Sequence, residues 1–95
     1  MKRIRWGILS TGKIAGSFTE DIKHVPDAEV VAVGSRNQAT ADAFGNKHNI
    51  PNRHSSYRDL ANDPDVDVIY IATPHVFHAE NSILCMNAKK AVLCE

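Results

Sequence analysis

The sequence predicts an α/β protein with a doubly wound parallel sheet, for three reasons. Short apolar runs rich in β-branched residues alternate with segments of helical periodicity along the whole chain. These runs are continuously apolar, as is typical of parallel strands buried on both faces. Glycine, proline and N-capping residues separate the segments. Strand–helix–strand units with right-handed crossovers then give the strand order 3-2-1-4-5, and ligands bind beyond the strand carboxyl ends where this order reverses.

Strands are predicted over residues 4–9, 30–33, 66–72 and 91–94, with a weaker strand near Arg53. Helices are predicted over residues 14–24, 37–48 and 56–63 and from residue 73 onward. Asn37 is the expected N-cap of the second helix, and Ser56 opens a capping box for the third. Thr73 and Pro74 supply the N-cap and the first residue of the fourth helix. The chain ends directly after the last strand, so we expect a sheet truncated there.

Composition restricts the class of protein. The chain has 95 residues, which suits one small domain, and 11 basic residues balance 11 acidic ones. Without a basic excess we expect no nucleic-acid partner, and without a long apolar run or a signal peptide we expect no membrane. Cys85 and Cys94 are predicted to be free thiols in a reducing cytoplasm. Both are assigned to packing, with Cys94 buried and inert in the last strand.

The first loop, residues 10–16, lies between a predicted strand and a predicted helix. A dinucleotide site needs a side-chain-free residue here, so that backbone N–H groups at a helix N-terminus can approach a pyrophosphate. Gly12 and Ala15 match the second and third positions of G-x-G-x-x-G/A, whereas Ser10 replaces the first glycine and is less favourable at positive φ. Lys13 is placed to contact a phosphate. The alternatives are a tight turn without a ligand and a solvated lysine.

The second loop, residues 34–37, follows the second strand. An NAD site typically has a carboxylate here for the ribose hydroxyls, and none is present. The planar guanidinium of Arg36 and the hydroxyl of Ser35 suit a 2′-phosphate instead. We therefore predict NADP(H) in preference to NAD(H), with an ordinary exposed arginine as the alternative.

The third loop, residues 73–78, faces the same crevice. His75 and His78 are three positions apart and can share a helix face. Two imidazoles without a third ligand make a weak metal site, so we predict polar contacts to the cofactor and no metal. Surface histidines are the alternative. His24 and His48 lie near helix carboxyl ends, where a cation is favourable.

Three segments, residues 5–15, 67–78 and 88–95, resemble the glucose–fructose oxidoreductase/inositol dehydrogenase (Gfo/Idh/MocA) family. Within the family, the start at residues 5–8, the run 47–51 and the end at 91–95 are most similar to the NADP-dependent dihydrodiol/D-xylose dehydrogenase branch. The resemblance covers essentially the whole chain. It implies a Rossmann domain, and this branch tolerates Ser10.

The resemblance also implies roles for individual residues. In the family, the pyrophosphate of NADP(H) lies by the first loop and its 2′-phosphate lies by the second loop. The third loop follows the path from the adenosine to the nicotinamide, and the last residue of this chain would approach the nicotinamide end. The corresponding cofactor-binding residues are Ser10, Thr11, Gly12, Lys13 and Ile14, then Ser35 and Arg36, then Thr73, Pro74, His75 and His78, and finally Glu95.

The family's catalytic lysine would follow Glu95 directly, and a second α/β domain would supply the substrate pocket and a homodimer surface. We therefore expect residues 1–95 to be the NAD(P)-binding part of an oxidoreductase acting on CH–OH groups of a sugar or cyclic trans-dihydrodiol, inactive alone. Hydride transfer needs the substrate carbon held against the nicotinamide with a proton donor beside its oxygen. The alternatives are a non-catalytic dinucleotide-binding module and a metal-binding module built on His75 and His78.

Overall fold

The computed structural model describes residues 4–73 and 78–94. Within them, five parallel strands form one sheet in the order β3-β2-β1-β4-β5, which confirms the predicted order and fold class. The strands are β1 Ile4–Leu9, β2 Ala28–Gly34, β3 Asn52–His54, β4 Val68–Ile71 and β5 Ala91–Cys94. The helices are α1 Lys13–Ile22, α2 Gln38–His48, α3 Tyr57–Ala61 and α4 His78–Asn87. In this part of the chain no helix has the length and apolar character needed to cross a membrane.

Two apolar clusters cover the two faces of the sheet. Ala15 of α1 and Phe44 of α2 pack on one face, and Leu60 of α3 and Cys85 of α4 pack on the other. Burying each large apolar side chain contributes roughly 1.5–3 kcal/mol to stability. On the first face, Phe18 of α1 stacks on Tyr70 of β4, with ring centroids 3.7 Å apart, and Trp6 of β1 contacts Phe18 at 5.4 Å. Trp6 is therefore a packing residue.

Two of the three predicted N-caps are confirmed. The Asn37 side chain accepts a hydrogen bond from Thr40 N at 2.8 Å, and Ser56 Oγ accepts one from Asp59 N at 3.1 Å. The described part of the fourth helix begins at His78, so the N-cap predicted at Thr73 stays a prediction. Residues 74–77 lie outside the described part of the chain, and with them the prediction for Pro74.

The prediction of a buried Cys94 is wrong. β5 is an edge strand of the described sheet and pairs only with β4, so Leu93 and Cys94 are exposed although the run is continuously apolar. The Cys94 thiol lies 3.3 Å from the Ser82 hydroxyl. Cys85 is buried as predicted, and burial raises the pKa of its thiol to about 11, which keeps it protonated and unreactive at neutral pH.

Candidate functional site

Backbone hydrogen bonds hold the first loop, the second loop and the residue that precedes the third loop at one edge of the sheet. Ser10 N donates to Gly34 O at 2.9 Å, which joins the loop after β1 to the end of β2. Ala72 N donates to Leu9 O at 3.1 Å, which joins the loop after β4 to the end of β1. Strand order reverses between β1 and β4, so this edge is the switch point at which open α/β sheets bind ligands.

The first loop turns at Ser10 and opens at Gly12. Ser10 has φ 102°, a left-handed conformation that costs a non-glycine residue about 1–2 kcal/mol. This is the position at which the dinucleotide pattern has its first glycine. Gly12 has φ −74°, so its role is not conformational. A Cβ built on Gly12 meets no atom within 4 Å, which leaves open space directly above the loop.

The N-terminus of α1 differs from those of α2 and α3. Its N-cap is Gly12, which has no side chain to accept from the first-turn N–H groups, whereas Asn37 and Ser56 cap their own helices. No acidic residue occupies the first turn of α1, and Lys13 begins it. Uncapped N–H groups and the partial positive charge of the helix end favour an anion at this position.

A groove of about 950 Å³ runs from the first loop between α1 and α2. At the loop end its walls are Thr11, Gly12 and Lys13. Along the helices, charged, polar and apolar side chains line the groove. They include Glu20 and Asp21 from α1 and Thr40, Phe44, Lys47 and His48 from α2.

The second loop presents an exposed arginine over a buried serine. Arg36 is exposed, and Ser35 is only 6% exposed. Ser35 N donates to His54 O at 3.0 Å, which fixes the loop against β3, and Ser35 Oγ is hydrogen-bonded to Thr40 Oγ1. The guanidinium of Arg36 is therefore the solvent-facing cation of this loop.

Thr73, the first residue of the third loop, is fixed to α4. Thr73 is buried, and its Oγ1 accepts a hydrogen bond from Asn81 Nδ2 at 2.8 Å. His78 is the first residue of α4. The predictions for Pro74, His75 and Glu95 fall on residues outside the described part of the chain.

Sequence reasoning missed the contacts of His48. Its side chain is 4% exposed, packs against the Phe44 ring with centroids 4.5 Å apart, and reaches Glu20 Oε2 through Nδ1 at 2.5 Å. The hydrogen bond from Lys23, and to a lesser degree the one from His48, lowers the pKa of Glu20. His48 thus lies in the last turn of α2, as expected, but it also links α2 to α1 beneath the groove, which was not predicted. Only the fold brings together residues this far apart in sequence.

A second polar cluster surrounds Asp63 beside β3. Asp63 Oδ2 accepts from His54 Nε2 at 2.8 Å and from Asn52 Nδ2 at 3.0 Å, while Oδ1 accepts from Asp65 N at 2.8 Å. Burial alone would raise the pKa of Asp63, but the hydrogen bonds from His54, the Asp65 backbone and Asn52 lower it below the ordinary value of 3.8. The cluster fixes the end of α3 against β3 and favours the ionised carboxylate.

This cluster predicts acid sensitivity. The pKa of Asp63 is lower in the folded state than its ordinary value of 3.8. Its ionised carboxylate therefore stabilises the folded state fully above pH 3.8, and this stabilisation is lost as the pH falls through the lower folded-state pKa. We expect Asp63→Asn to lower the free energy of unfolding by about 1–3 kcal/mol at pH 7, since the NH₂ group of the new amide would face N–H groups that now donate to the carboxylate. The melting temperature, followed from pH 7 to pH 2.5, should fall less steeply for Asp63→Asn than for wild type. Asp59→Asn, at an exposed carboxylate of α3, is the matched control, and parallel curves for wild type and Asp63→Asn would contradict the prediction.

Comparison with known proteins identifies relatives over nearly the whole chain. Residues 4–95 match the family described as "Oxidoreductase family, NAD-binding Rossmann fold" (GFO_IDH_MocA). The chain is 48% identical over 94 residues to trans-1,2-dihydrobenzene-1,2-diol dehydrogenase of Danio rerio, covering 97% of this chain and 28% of that protein. The enzyme of the same name from Mus musculus is 49% identical over 94 residues, with the same coverage. The chain therefore spans less than a third of the length of these curated relatives.

Solved structures share the fold. The 3-ketoreductase KijD10 from Actinomadura kijaniata, in complex with TDP-benzene and NADP, matches with a TM-score of 0.92 and 30% identity over 98% of this chain and 29% of its own. The WlbA dehydrogenase from Bordetella pertussis, in complex with NADH and UDP-GlcNAcA, matches with a TM-score of 0.88 and 23% identity, over 98% of this chain and 29% of its own. The second likeness concerns the fold alone.

Proposed function

The chain belongs to the Gfo/Idh/MocA oxidoreductase family, and on that premise we propose that it is the NADP(H)-binding domain of a dehydrogenase acting on CH–OH groups. Its Rossmann fold is that of a nicotinamide-dinucleotide-binding domain. The choice of NADP(H), the residues that hold it and the substrate are the proposal.

One observation supports the proposal above the others: α1 begins at a glycine over open space, without a side-chain cap. Gly12 leaves room for a pyrophosphate against the backbone, and the first-turn N–H groups of α1 face it. The residues present fit the cofactor. Thr11, Gly12, Lys13 and Ile14 would hold the pyrophosphate, and Ser10 would shape the turn beneath it.

The second loop supports NADP(H) over NAD(H). Arg36 is exposed at the end of β2, where a carboxylate would repel a 2′-phosphate and none is present. A guanidinium can bind such a group through two parallel hydrogen bonds. The related 3-ketoreductase KijD10 was solved with NADP.

The bound dinucleotide would supply the hydride acceptor or donor. We propose that the cofactor, between its adenosine and its nicotinamide, contacts Thr73, Pro74, His75 and His78. Glu95 would lie near the nicotinamide end. Thr73 would orient this loop through its bond to Asn81.

The substrate, the further domain and the oligomeric state of the whole protein are also proposals. We propose that its substrate is a cyclic trans-dihydrodiol, as the names of its curated relatives suggest, or a sugar, as the family resemblance implies. We propose that residues 1–95 are its cofactor domain and that the substrate domain and the proton-transferring residues lie beyond it. We further propose a cytoplasmic homodimer.

Binding of the two dinucleotides tests the proposal directly. Titration of the chain with NADPH and NADH, followed by calorimetry, should give a lower Kd for NADPH. Binding of neither nucleotide by the folded chain would overturn the proposed function, and equal affinities would overturn the choice of NADP(H).

Replacing Arg36 with alanine should weaken NADPH binding selectively. The lost charge-assisted contact is worth about 1.5–3 kcal/mol, or roughly 10-fold to 150-fold in Kd, whereas the Kd for NADH should change less than about 2-fold. Arg58→Ala, at an exposed arginine on α3, is the matched control and should leave both values unchanged. An equal loss for both nucleotides would show that Arg36 does not contact the 2′-phosphate.

A further inference from the structure

The hydroxyl exposed beside the second loop belongs to Thr40 of α2, not to Ser35. Ser35 is 6% exposed, and it does not line the groove that begins at the first loop. Thr40, in the first turn of α2, is exposed and lines that groove together with Thr11, Gly12 and Lys13. A ligand lying on the first loop therefore reaches Thr40 before it reaches Ser35.

The hydrogen bonds around Thr40 define which groups can donate. Ser35 Oγ is bonded to Thr40 Oγ1, and Thr40 Oγ1 also lies 3.2 Å from Asn37 O and 3.0 Å from Asn37 Oδ1. The Asn37 oxygens are acceptors only, so the Thr40 hydroxyl donates to them. The single Ser35 hydrogen is then the one that lies between the two hydroxyls, and the Thr40 oxygen accepts it.

This arrangement leaves the Thr40 hydrogen able to turn toward an anion at low cost. Asn37 Oδ1 keeps its hydrogen bond from Thr40 N at 2.8 Å when the hydroxyl turns away. The bond from Ser35 polarises the Thr40 hydroxyl and makes it a better donor. A ribose hydroxyl gains little here, because it can satisfy itself with water, whereas a phosphate dianion gains a charge-assisted bond.

We propose that Thr40 is a specificity-determining residue that donates its hydroxyl to the 2′-phosphate of NADP(H), with Ser35 as the positioning residue behind it. The inference rests on the proposed function, and it moves the serine's role in phosphate binding to a threonine five positions later. Arg36 supplies the charge, and Thr40 supplies a directed hydrogen bond.

Thr40→Val tests the proposal because valine keeps the shape and the backbone cap to Asn37 while removing the hydroxyl. We expect the Kd for NADPH to rise about 10-fold and the Kd for NADH to change less than about 2-fold. Thr40→Ser, which keeps the hydroxyl, should stay within about 3-fold of wild type for both. Melting temperatures of the variants separate a loss of fold from a loss of contact, since a merely structural role would not change the NADPH/NADH ratio.

Ser35→Ala provides the second measurement. Acting through Thr40, it should raise the Kd for NADPH by less than Thr40→Val does, and it should add nothing further in the Thr40→Val background. A full loss of NADPH affinity in Ser35→Ala with none in Thr40→Val would overturn the proposal, as would equal weakening of both nucleotides by Thr40→Val. If wild type binds neither nucleotide, the proposed function fails too; if wild type prefers NADPH and Thr40→Val keeps that preference, only the role of Thr40 fails.

Discussion

Replacing Gly12 with valine is expected to abolish dinucleotide binding while the chain still folds. A Cβ at this position meets no atom within 4 Å in the free chain, and φ −74° suits any L-residue. Valine is a poor N-cap, which costs about 1 kcal/mol of stability. Its branches nevertheless fill the space that a pyrophosphate must enter, so we expect Kd for NADPH and NADH to rise by at least about 100-fold, equivalent to roughly 2.7 kcal/mol.

The matched control is Gly16→Ala, one turn further along α1. A Cβ there lies 3.7 Å from His48 Nε2, an ordinary contact, and alanine in a helix is about 0.5–1 kcal/mol more favourable than glycine. The melting temperature should therefore rise slightly, and although Gly16 also lines the groove, any loss of binding should be far smaller than in Gly12→Val. Retention of binding in Gly12→Val would show that no ligand approaches the backbone at this loop, and a lost thermal transition in that variant would contradict the open space above Gly12.

Much of this fold is predictable because its determinants are local in sequence. Continuous apolar runs and the Asn37 and Ser56 caps mark most of the elements, and crossover handedness then restricts the strand order. Burial at the sheet edge is not local. The run ending in Cys94 has the composition of a buried strand, but its exposure depends on which elements pack beside β5.

The candidate site shows the same division. The glycine pattern and the absence of a carboxylate after β2 identify two loops from sequence alone. The role that we propose for Thr40 in place of Ser35 could not be predicted, because it depends on how the first turn of α2 covers the loop. The Glu20–His48 contact likewise requires α1 and α2 to pack side by side.

Truncating Leu60 to alanine is expected to give the largest loss of stability. Leu60 is fully buried at the centre of the cluster that joins α3 to the sheet, so its truncation removes apolar contacts and leaves a cavity. Such changes cost about 2–5 kcal/mol, a large part of the roughly 5–15 kcal/mol that stabilises a native protein. Urea unfolding gives the free energy directly, and Ile83→Ala, at an exposed position of α4, should change it by less than about 1 kcal/mol.

Two glycines that contact Leu60 should be coupled to this truncation to different degrees. A Cβ on Gly7 would meet Leu60 Cδ1 at 3.0 Å and Val66 Cγ1 at 3.1 Å, whereas a Cβ on Gly34 would meet Leu60 Cβ at 2.8 Å. Alanine at position 60 lacks Cδ1 but keeps Cβ. Gly7→Ala should therefore refill part of the cavity, and the double variant with Leu60→Ala should be less destabilised than the sum of the single changes.

Gly34→Ala should show less compensation than Gly7→Ala. The new methyl group still opposes a Cβ at position 60, so α3 must move away from β2 in either background, at a cost of about 1–3 kcal/mol. Leu60→Ala removes Cδ2, which the new methyl group would meet at 3.0 Å, but it keeps Cβ at 2.8 Å, so the coupling energy of Gly34 with Leu60 should be smaller than that of Gly7. Because Gly34 directly precedes Ser35 and Arg36, its substitution should also weaken NADPH binding, whereas Gly7→Ala should not. Equal coupling of the two glycines to Leu60 would contradict the close packing of α3 on the end of β2.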